Sequence, residues 1–224
     1  LNYQNEKSWY RFDAQGYLVT GWYQDNGTWY YLNPKSDGKL GKMMTGWQYI
    51  NDIWYYFTEN AGDKQGAMFC KRWAEVPYNG TVEWYYFDEN GTMKTDWLTQ
   101  DENKFYLYPI ADGTRGRMLT GWQVRNGQMY YLDGSGAMIT GWLSWNGRWC
   151  YMNETQDAYY GCLVRGHWLG KDGKTYYLDN VGYMVEGWNQ VDGNWYYFYP
   201  GQGNKAVNTT IDTFYVNQQG IWVH

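Results

Sequence analysis

Residues 20–32 read Thr-Gly-Trp-Tyr-Gln-Asp-Asn-Gly-Thr-Trp-Tyr-Tyr-Leu, and this stretch decides the fold. An Asn-Gly pair between two aromatic runs is the strongest short-range signal for a β-hairpin, because a type I′ turn needs a positive φ at both central residues. With Asn26 and Gly27 as a two-residue loop, Trp22 lies opposite Tyr31. Alternation along the strands then gives one face with Trp22, Gln24, Trp29 and Tyr31, and another with Tyr23, Tyr30 and Leu32. We expect the second face to be core.

The same pattern recurs along the 224 residues as Gly-Trp, Trp-Tyr-Tyr and Gly-x-Met-x-Thr, in that order. The tryptophans of the Gly-Trp position are 20 to 26 residues apart. A period of this size indicates stacked supersecondary units and not one globular core. The two-residue loop predicts the same register elsewhere, pairing Trp47 with Tyr56, Trp122 with Tyr131, Trp142 with Tyr151, Trp168 with Tyr177 and Trp188 with Tyr197.

Two segments depart from this register in the sequence. A longer loop is expected within residues 73–84, and one extra residue within residues 97–107. A lone hairpin is marginal in water, so each must dock on its neighbours. We therefore predict an all-β fold, a solenoid of repeated β-hairpins with almost no helix. Residues 1–224 are expected to form a single repeat domain of about nine to ten hairpin units, in which residues 200–224 are a degenerate terminal repeat that acts as a cap.

The composition excludes several functions. Aromatic residues make up 22% of the chain, with 16 Trp and 26 Tyr, so ring faces must supply much of the buried surface. A net charge of -5 without a basic stripe argues against nucleic acid as a partner. There is no apolar run of the length needed to span a membrane. No signal peptide is recognised, and we interpret the chain as a mature fragment or a domain of a longer protein.

No pattern of catalytic or metal-ligating residues is found in the sequence. The two histidines, His167 and His224, belong to no Ser/His/Asp or metal-ligand arrangement. The three cysteines, Cys70, Cys150 and Cys162, lack Cys-x-x-Cys spacing and replace other residues of the repeat, so no disulfide framework is expected. The carboxylates fall at turns. We predict a protein that is not an enzyme and that uses neither a metal nor a cofactor.

The Gly-Trp and Trp-Tyr-Tyr repeats resemble the cell-wall-binding repeat family, known as the choline-binding modules of Gram-positive surface proteins and lytic enzymes. The glucan-binding repeats of glucosyltransferases and clostridial toxins are related. The resemblance covers nearly the whole chain. It implies a left-handed solenoid of hairpins with choline held in aromatic cages between consecutive hairpins. Each cage combines two tryptophans of one hairpin with an aromatic residue of the next, often with Met nearby.

On this chain the resemblance implies complete tryptophan pairs in four hairpins and a fifth pair at Trp73 and Trp84. The pairs around Trp97, Trp122 and Trp168 lack the second Trp, having Phe105, Met129 and Thr175, so cages there are expected to be weakened or absent. With the paired tyrosines included, the candidate ligand-binding residues are Trp22, Trp29, Tyr31, Trp47, Trp54, Tyr56, Trp73, Trp84, Trp122, Tyr131, Trp142, Trp149, Tyr151, Trp168, Trp188, Trp195 and Tyr197.

Three functions fit these observations. The leading hypothesis is a non-catalytic, secreted module that binds choline-substituted teichoic acid at the cell surface of a Gram-positive bacterium. Binding of glucan or another cell-wall glycan is the first alternative, because Trp and Tyr also stack on sugar rings. The second is a spacer or self-association domain that forms homo-oligomers as part of a larger surface protein.

Overall fold

The computed structural model describes residues 2–3, 6–60, 64–78 and 80–223, and the only regular secondary structure in these ranges is β-strand. The predicted all-β fold is confirmed. Within the same ranges no helix has the length and apolar character needed to cross a membrane. The strands are β1 Asn2–Tyr3, β2 Glu6–Lys7, β3 Gly21–Asp25, β4 Thr28–Leu32, β5 Gly46–Ile50, β6 Ile53–Phe57, β7 Arg72–Tyr78, β8 Thr81–Phe87, β9 Asp96–Gln100, β10 Asn103–Leu107, β11 Gly121–Arg125, β12 Gln128–Leu132, β13 Gly141–Trp145, β14 Arg148–Met152, β15 His167–Lys171, β16 Lys174–Leu178, β17 Gly187–Val191, β18 Asn194–Phe198, β19 Thr209–Ile211 and β20 Phe214–Val216.

Consecutive strands pair as antiparallel hairpins, each a separate two-stranded sheet. The predicted register is confirmed in all six hairpins for which it was derived. In β3/β4, for example, Trp22 is opposite Tyr31, and the loop residues Asn26 and Gly27 have φ of 46° and 82°. These positive φ values are those of a type I′ turn, which follows the right-handed twist of the strands.

The two expected departures from the register are wrong. In β7/β8 the additional residues extend both strands, Tyr78 pairs with Thr81, and Trp73 lies opposite Tyr86 as in the other hairpins. Asn79, part of the expected longer loop, is outside the described residues. Strands β9 and β10 are joined by Asp101 and Glu102 alone, with φ of 47° and 70°, so no extra residue is present. Both segments therefore keep the common register with a two-residue loop.

The core runs along the ends of the second strands. In the nine hairpins from β3/β4 to β19/β20, the last residue of the second strand is almost fully buried, as with Leu32 at 3% and Phe57 at 0% exposure, and it forms an isolated β-bridge with the connector that follows. Leu32 bridges to Met43 and Phe57 to Met68 in this way. The longer connectors loop out and return, because the amide of Asn33 donates to the carbonyl of Lys42 and closes the loop.

The chain divides into two compact units. The first comprises residues 1–100 and 105–119, and its main core cluster includes Tyr56, Val76, Tyr85 and Phe87. The second comprises residues 101–104 and 120–224, with two clusters, one around Cys150, Met152 and Leu163 and another around Tyr151, Leu178 and Met184. Within each unit, successive hairpins stack through contacts between their aromatic rings.

Candidate ligand cages between hairpins

One arrangement of four side chains recurs between successive hairpins of a unit. In the first example it consists of Trp22 on β3, Trp29 on β4, Tyr55 on β6 and Met68 in the connector after β6. We call these positions the first-strand Trp, the second-strand Trp, the facing aromatic and the connector Met. The first two belong to one hairpin, and the last two are supplied by the next hairpin and by the connector that follows it.

In this arrangement the rings of Trp29 and Tyr55 both stand at steep angles to the ring of Trp22. Trp22 and Trp29 have centroids 6.2 Å apart and planes at 90°, and Trp22 and Tyr55 are 4.9 Å apart at 70°. Rings at these angles form the walls of a concave space, whereas stacked rings would form a flat platform. Trp22 and Trp29 are 37% and 40% exposed, so their outer faces remain open to a ligand.

A backbone hydrogen bond places the connector Met beside the second-strand Trp. The amide of Met68 donates to the carbonyl of Trp29 at 2.8 Å, although the two residues are separated by a complete hairpin. The corresponding bonds join Met93 to Trp54 at 3.1 Å and Met184 to Trp149 at 2.7 Å. The fourth wall of each site is thus positioned by main-chain geometry.

The cage at Trp47 and Trp54 is a cavity of about 180 Å³ in the first unit. Its two indoles are 6.1 Å apart at 88°, and Tyr85 is the facing aromatic, 4.9 Å from Trp47. Met93 is the connector Met, and Arg115 also lines the cavity. Burial and the nearby Glu83 raise the pKa of Tyr85 to about 12, so its phenol stays neutral at physiological pH.

Two further cages in the second unit have volumes of about 250 Å³ each. The first has the two indoles of Trp142 and Trp149, 6.5 Å apart at 84°, with Tyr176 and Met184 completing the set. In the second, all four positions are aromatic. Its walls are Trp188, Trp195, Phe214 and Trp222.

The fifth tryptophan pair also has its facing partners. Trp73 contacts Phe105 at 4.9 Å and 61°, and Met118 donates its amide to the carbonyl of Trp84 at 2.7 Å. Phe105 is therefore a facing aromatic and not the counterpart of a second-strand Trp. The common register gives that counterpart in β10 as Lys104.

Two of the weakened positions are filled by the protein itself. At Trp122, the second-strand Trp is replaced by Met129 and the facing aromatic by the buried Cys150, and the ring of Trp145 packs on Trp122 at 5.9 Å. These side chains form a core cluster and close the space. At Trp168 the connector Met is replaced by Lys205, whose ammonium lies over two rings.

The tryptophans of the five complete pairs thus line the concave faces, while the paired tyrosines lie deeper. Tyr56 and Tyr151 are only 5% and 4% exposed, and their hydroxyls donate to Glu59 at 2.8 Å and to Glu154 at 2.5 Å. The paired tyrosines contact the first-strand Trp at 5.0–5.2 Å and support it from behind, which applies to Tyr31, Tyr56, Tyr131, Tyr151 and Tyr197.

Sequence reasoning missed the facing aromatics, since it assigned the face with Tyr30 and Leu32 to the core. That expectation is right for Leu32 and its equivalents. The first tyrosine of Trp-Tyr-Tyr instead meets the first-strand Trp of the preceding hairpin. The sequence signals only that the two faces of a stacked hairpin must contact different neighbours, and it does not identify which rings meet. The facing aromatics are Tyr55, Tyr85, Phe105, Tyr176, Tyr196 and Phe214.

Other chemistry is sparse in the described part of the chain. It contains no group of three or more His, Cys, Asp or Glu side chains arranged to hold a metal ion. Cys70 is an exposed thiol, and Cys150 and Cys162 are buried thiols. Burial raises the pKa of Cys150, which keeps this thiol in its less reactive neutral form.

Comparison with known families agrees with this architecture. A model described as a choline-binding repeat matches residues 119–160 and 164–209, and a model described as a cell wall binding repeat matches residues 20–39, 45–62 and 83–93. The repeats of this chain belong to the choline-binding, or cell-wall-binding, repeat family. A comparison with curated protein sequences gives no match.

Several solved structures of the same architecture come from Streptococcus pneumoniae. Choline binding protein F is 29% identical with a TM-score of 0.68, and the match covers 96% of this chain and 89% of that one. Another structure of this protein holds ipratropium introduced by soaking. The choline-binding domain of CbpL is 25% identical, with a TM-score of 0.60 and coverage of 92% and 98%. The modular autolysin LytC, at 22% identity and a TM-score of 0.61, shares the fold over 91% of this chain and 42% of its own.

Proposed function

We propose that this chain is a non-catalytic anchoring module that binds choline groups of teichoic or lipoteichoic acid at a Gram-positive cell wall. The observation that supports this most directly is the open cavity lined by Trp47, Trp54 and Tyr85, in which the rings of Trp54 and Tyr85 both stand steeply to that of Trp47. The candidate cages have the first-strand tryptophans Trp22, Trp47, Trp73, Trp142 and Trp188.

The chemistry of a quaternary ammonium explains why rings would be used. Such a group has no hydrogen to donate, so carboxylates cannot recognise it by hydrogen bonding. The negative faces of aromatic rings attract it, and Trp is the most effective. At about 0.5–2 kcal/mol per face, three faces give a few kcal/mol and an affinity of about millimolar.

Repetition compensates for the weakness of one site. When several cages on one chain meet a polymer with many choline groups, avidity exceeds the single-site affinity by about 10² to 10⁴. A secreted protein that carries such a module would be retained at the cell surface without a membrane span. The ipratropium held by choline binding protein F is consistent with this ligand class, since ipratropium carries a quaternary nitrogen.

The test is a titration of intrinsic Trp fluorescence with choline chloride and with tetramethylammonium. The matched control is 3,3-dimethyl-1-butanol, which has the shape of choline without its charge. We expect saturation at millimolar concentrations of both cations and at least about 10-fold weaker binding of the neutral alcohol. Equal binding of the alcohol would show that the sites are merely apolar.

The same titration separates the alternatives. A response to a dextran oligomer with none to choline would establish the glycan-binding function. Silence with every ligand, together with a dimer in solution, would favour a self-association domain. The steep angles between rings support cages over the flat platforms that stack on sugars.

A further inference from the structure

We propose that Lys205 is an internal ligand, whose ammonium occupies the cage at Trp168 and Tyr196 in place of an external choline group. This inference rests on the proposed function, because it concerns a cage of the same design. It gives the module a site that is closed to ligand by its own side chain.

The backbone of Lys205 makes the same two interactions as that of a connector Met. Its amide donates to the carbonyl of Thr175 at 2.7 Å, as Met184 does to Trp149. It forms the isolated bridge with Phe198, the buried last residue of β18, as Met184 does with Leu178 at the end of β16.

The aliphatic part of Lys205 also lies where the methionines lie. A Cβ on Gly220 would stand 2.9 Å from Cδ and 3.0 Å from Cε of Lys205. In the same way, a Cβ on Gly91 would meet the side chain of Met68, and a Cβ on Gly116 would meet that of Met93. The lysine stem therefore fills the usual slot of the connector Met, which directs the remaining ammonium toward the rings.

The ammonium contacts the groups that a bound cation would contact. Its Nζ is 5.1 Å from the ring centroid of Trp168 and 5.4 Å from that of Tyr196, within the range of cation–π attraction. These two rings are themselves 4.9 Å apart at 72°, the geometry of the open cages. Nζ also donates to the carbonyl of Gln219 at 2.7 Å, a bond that a quaternary ammonium could not make.

The missing wall fits this arrangement. Thr175 stands at the second-strand Trp position, so the outer side of the cage is open where the five candidate cages have an indole. Burial lowers the pKa of Lys205, so desolvation opposes its charge, while the rings and the carbonyl of Gln219 favour it. A tethered cation is present at a high effective concentration and competes with any free ligand.

The first test needs no ligand. In protein with ¹³C-labelled lysine, the ε-methylene of Lys205 should show an upfield ring-current shift relative to the other lysines, assigned by its loss in K205M. The control is K174M, which alters an exposed lysine in the β15/β16 hairpin, the one that carries Trp168. An unshifted Lys205 signal would overturn the proposal whatever the module binds.

The second test asks whether the lysine blocks the site. T175W supplies the missing wall with Lys205 in place, and T175W/K205M supplies it with the lysine removed. We expect the indole resonance that the T175W substitution introduces to respond to tetramethylammonium in the double variant, and at least about 10-fold more weakly in the single variant. Equal responses in the two variants would overturn the proposal.

The remaining cages serve as internal controls in the same spectra. Their indole resonances report whether each variant is folded and whether the module binds the cation at all. If no indole responds in any variant, the proposed choline function fails, and the ligand-free shift of Lys205 alone decides whether it is an internal ligand.

Discussion

The indole of Trp142 meets the phenol ring of Tyr176, in the following hairpin, with centroids 5.0 Å apart and planes at 70°. The same pairing recurs at four other positions within 4.9 Å and 61–72°, including one with Phe in place of Tyr. Such constancy follows from the stacking of identical hairpins. Two walls of each cage are therefore set by the fold before any ligand arrives, and little ordering entropy remains to be lost on binding.

Removing a second-strand Trp should weaken one site selectively. Trp149 is 44% exposed, so W149L should change the stability of the protein by less than about 1 kcal/mol while it deletes one wall of the cage at Trp142. We expect the affinity of that cage for tetramethylammonium to fall about 2- to 30-fold, the equivalent of one ring face. The shift of the Trp142 indole resonance measures it.

The control for W149L is Y159L, which removes an exposed ring outside the cages. It should leave every affinity unchanged. If Y159L weakened binding as much as W149L, the ligand would be contacting the surface unspecifically.

Trp122 should show the opposite behaviour. Its ring packs with Trp145 and Met129 in a closed core cluster, so W122A should destabilise the protein by about 3–5 kcal/mol. The number of tetramethylammonium ions bound at saturation should not change. Thermal unfolding and equilibrium dialysis provide the two readouts, and loss of one bound ion would show that this position is a working cage.

A carboxylate in the second unit should make stability depend on pH. Lys171 and Tyr151 both donate hydrogen bonds to Glu154, and these bonds, the one from Lys171 first, hold the pKa of Glu154 below its usual value. The folded state thus binds its proton less readily than the unfolded chain, so the stabilisation is present above the unfolded value near pH 4.5 and is lost as the pH falls through the folded pKa.

E154Q tests this dependence. The ion pair is partly exposed, so we expect wild type to exceed E154Q by at most about 1 kcal/mol at about pH 6, with the difference shrinking toward zero near pH 3. Urea unfolding at both values measures the difference. A gap that is the same at both pH values would show that the charge of Glu154 is irrelevant.

The glycines under the connector methionines should resist substitution. Gly91 has a φ of +76°, and a Cβ there would stand 2.5 Å from Sδ of Met68. G91A combines a backbone penalty of about 1–2 kcal/mol with overpacking of about 1–3 kcal/mol. G134A is the control, because Gly134 has no positive φ and open space around its Cα. Thermal unfolding should separate the two variants, and equal midpoints would contradict the close packing.

One hairpin loop leaves room for stabilisation. Asp52 has a φ of +65° at the position where Asn26-Gly27 and similar loops have Gly. D52G should raise stability by about 1 kcal/mol, since glycine adopts this conformation without strain. D52A loses the same Tyr49 hydroxyl bond but keeps the strain, so the difference between the two variants isolates the backbone effect. If the D52G protein were no more stable than D52A, the positive φ of residue 52 would not be a source of strain.

The sequence predicted well what depends on neighbours within one hairpin. Asn26-Gly27 defines the loop, and the period of two then determines which residues pair, so the register and the lining tryptophans followed. The register of β9/β10 was missed because Asp101 and Glu102 adopt positive φ although neither is a glycine, so the sequence does not mark them as a two-residue loop. In β7/β8 the additional residues were assigned to the loop, whereas Pro77 pairs with Val82 in an extended strand.

Contacts between hairpins were harder to predict. The facing aromatics depend on how one hairpin is placed over the next, and this offset is determined by the connectors and by the bond from Met68 to Trp29. No short sequence pattern encodes the offset between one hairpin and the next. For the same reason, Lys205 did not stand out as a sequence position, and its role emerged only from its place beside Trp168 and Tyr196.

The bond from each connector Met back across a whole hairpin also bears on how such a chain can evolve. Every site is assembled from two successive repeats and the segment after them. The number of binding sites therefore depends on the number of joints between repeats and not on the number of repeats. In-frame duplication of one repeat that supplies all four positions, such as residues 47–72, would add one joint and leave the remaining joints as they were. Recombination between repeats could therefore change the number of binding sites, and with it the avidity for a polymer, one site at a time. No new side chain would have to be selected.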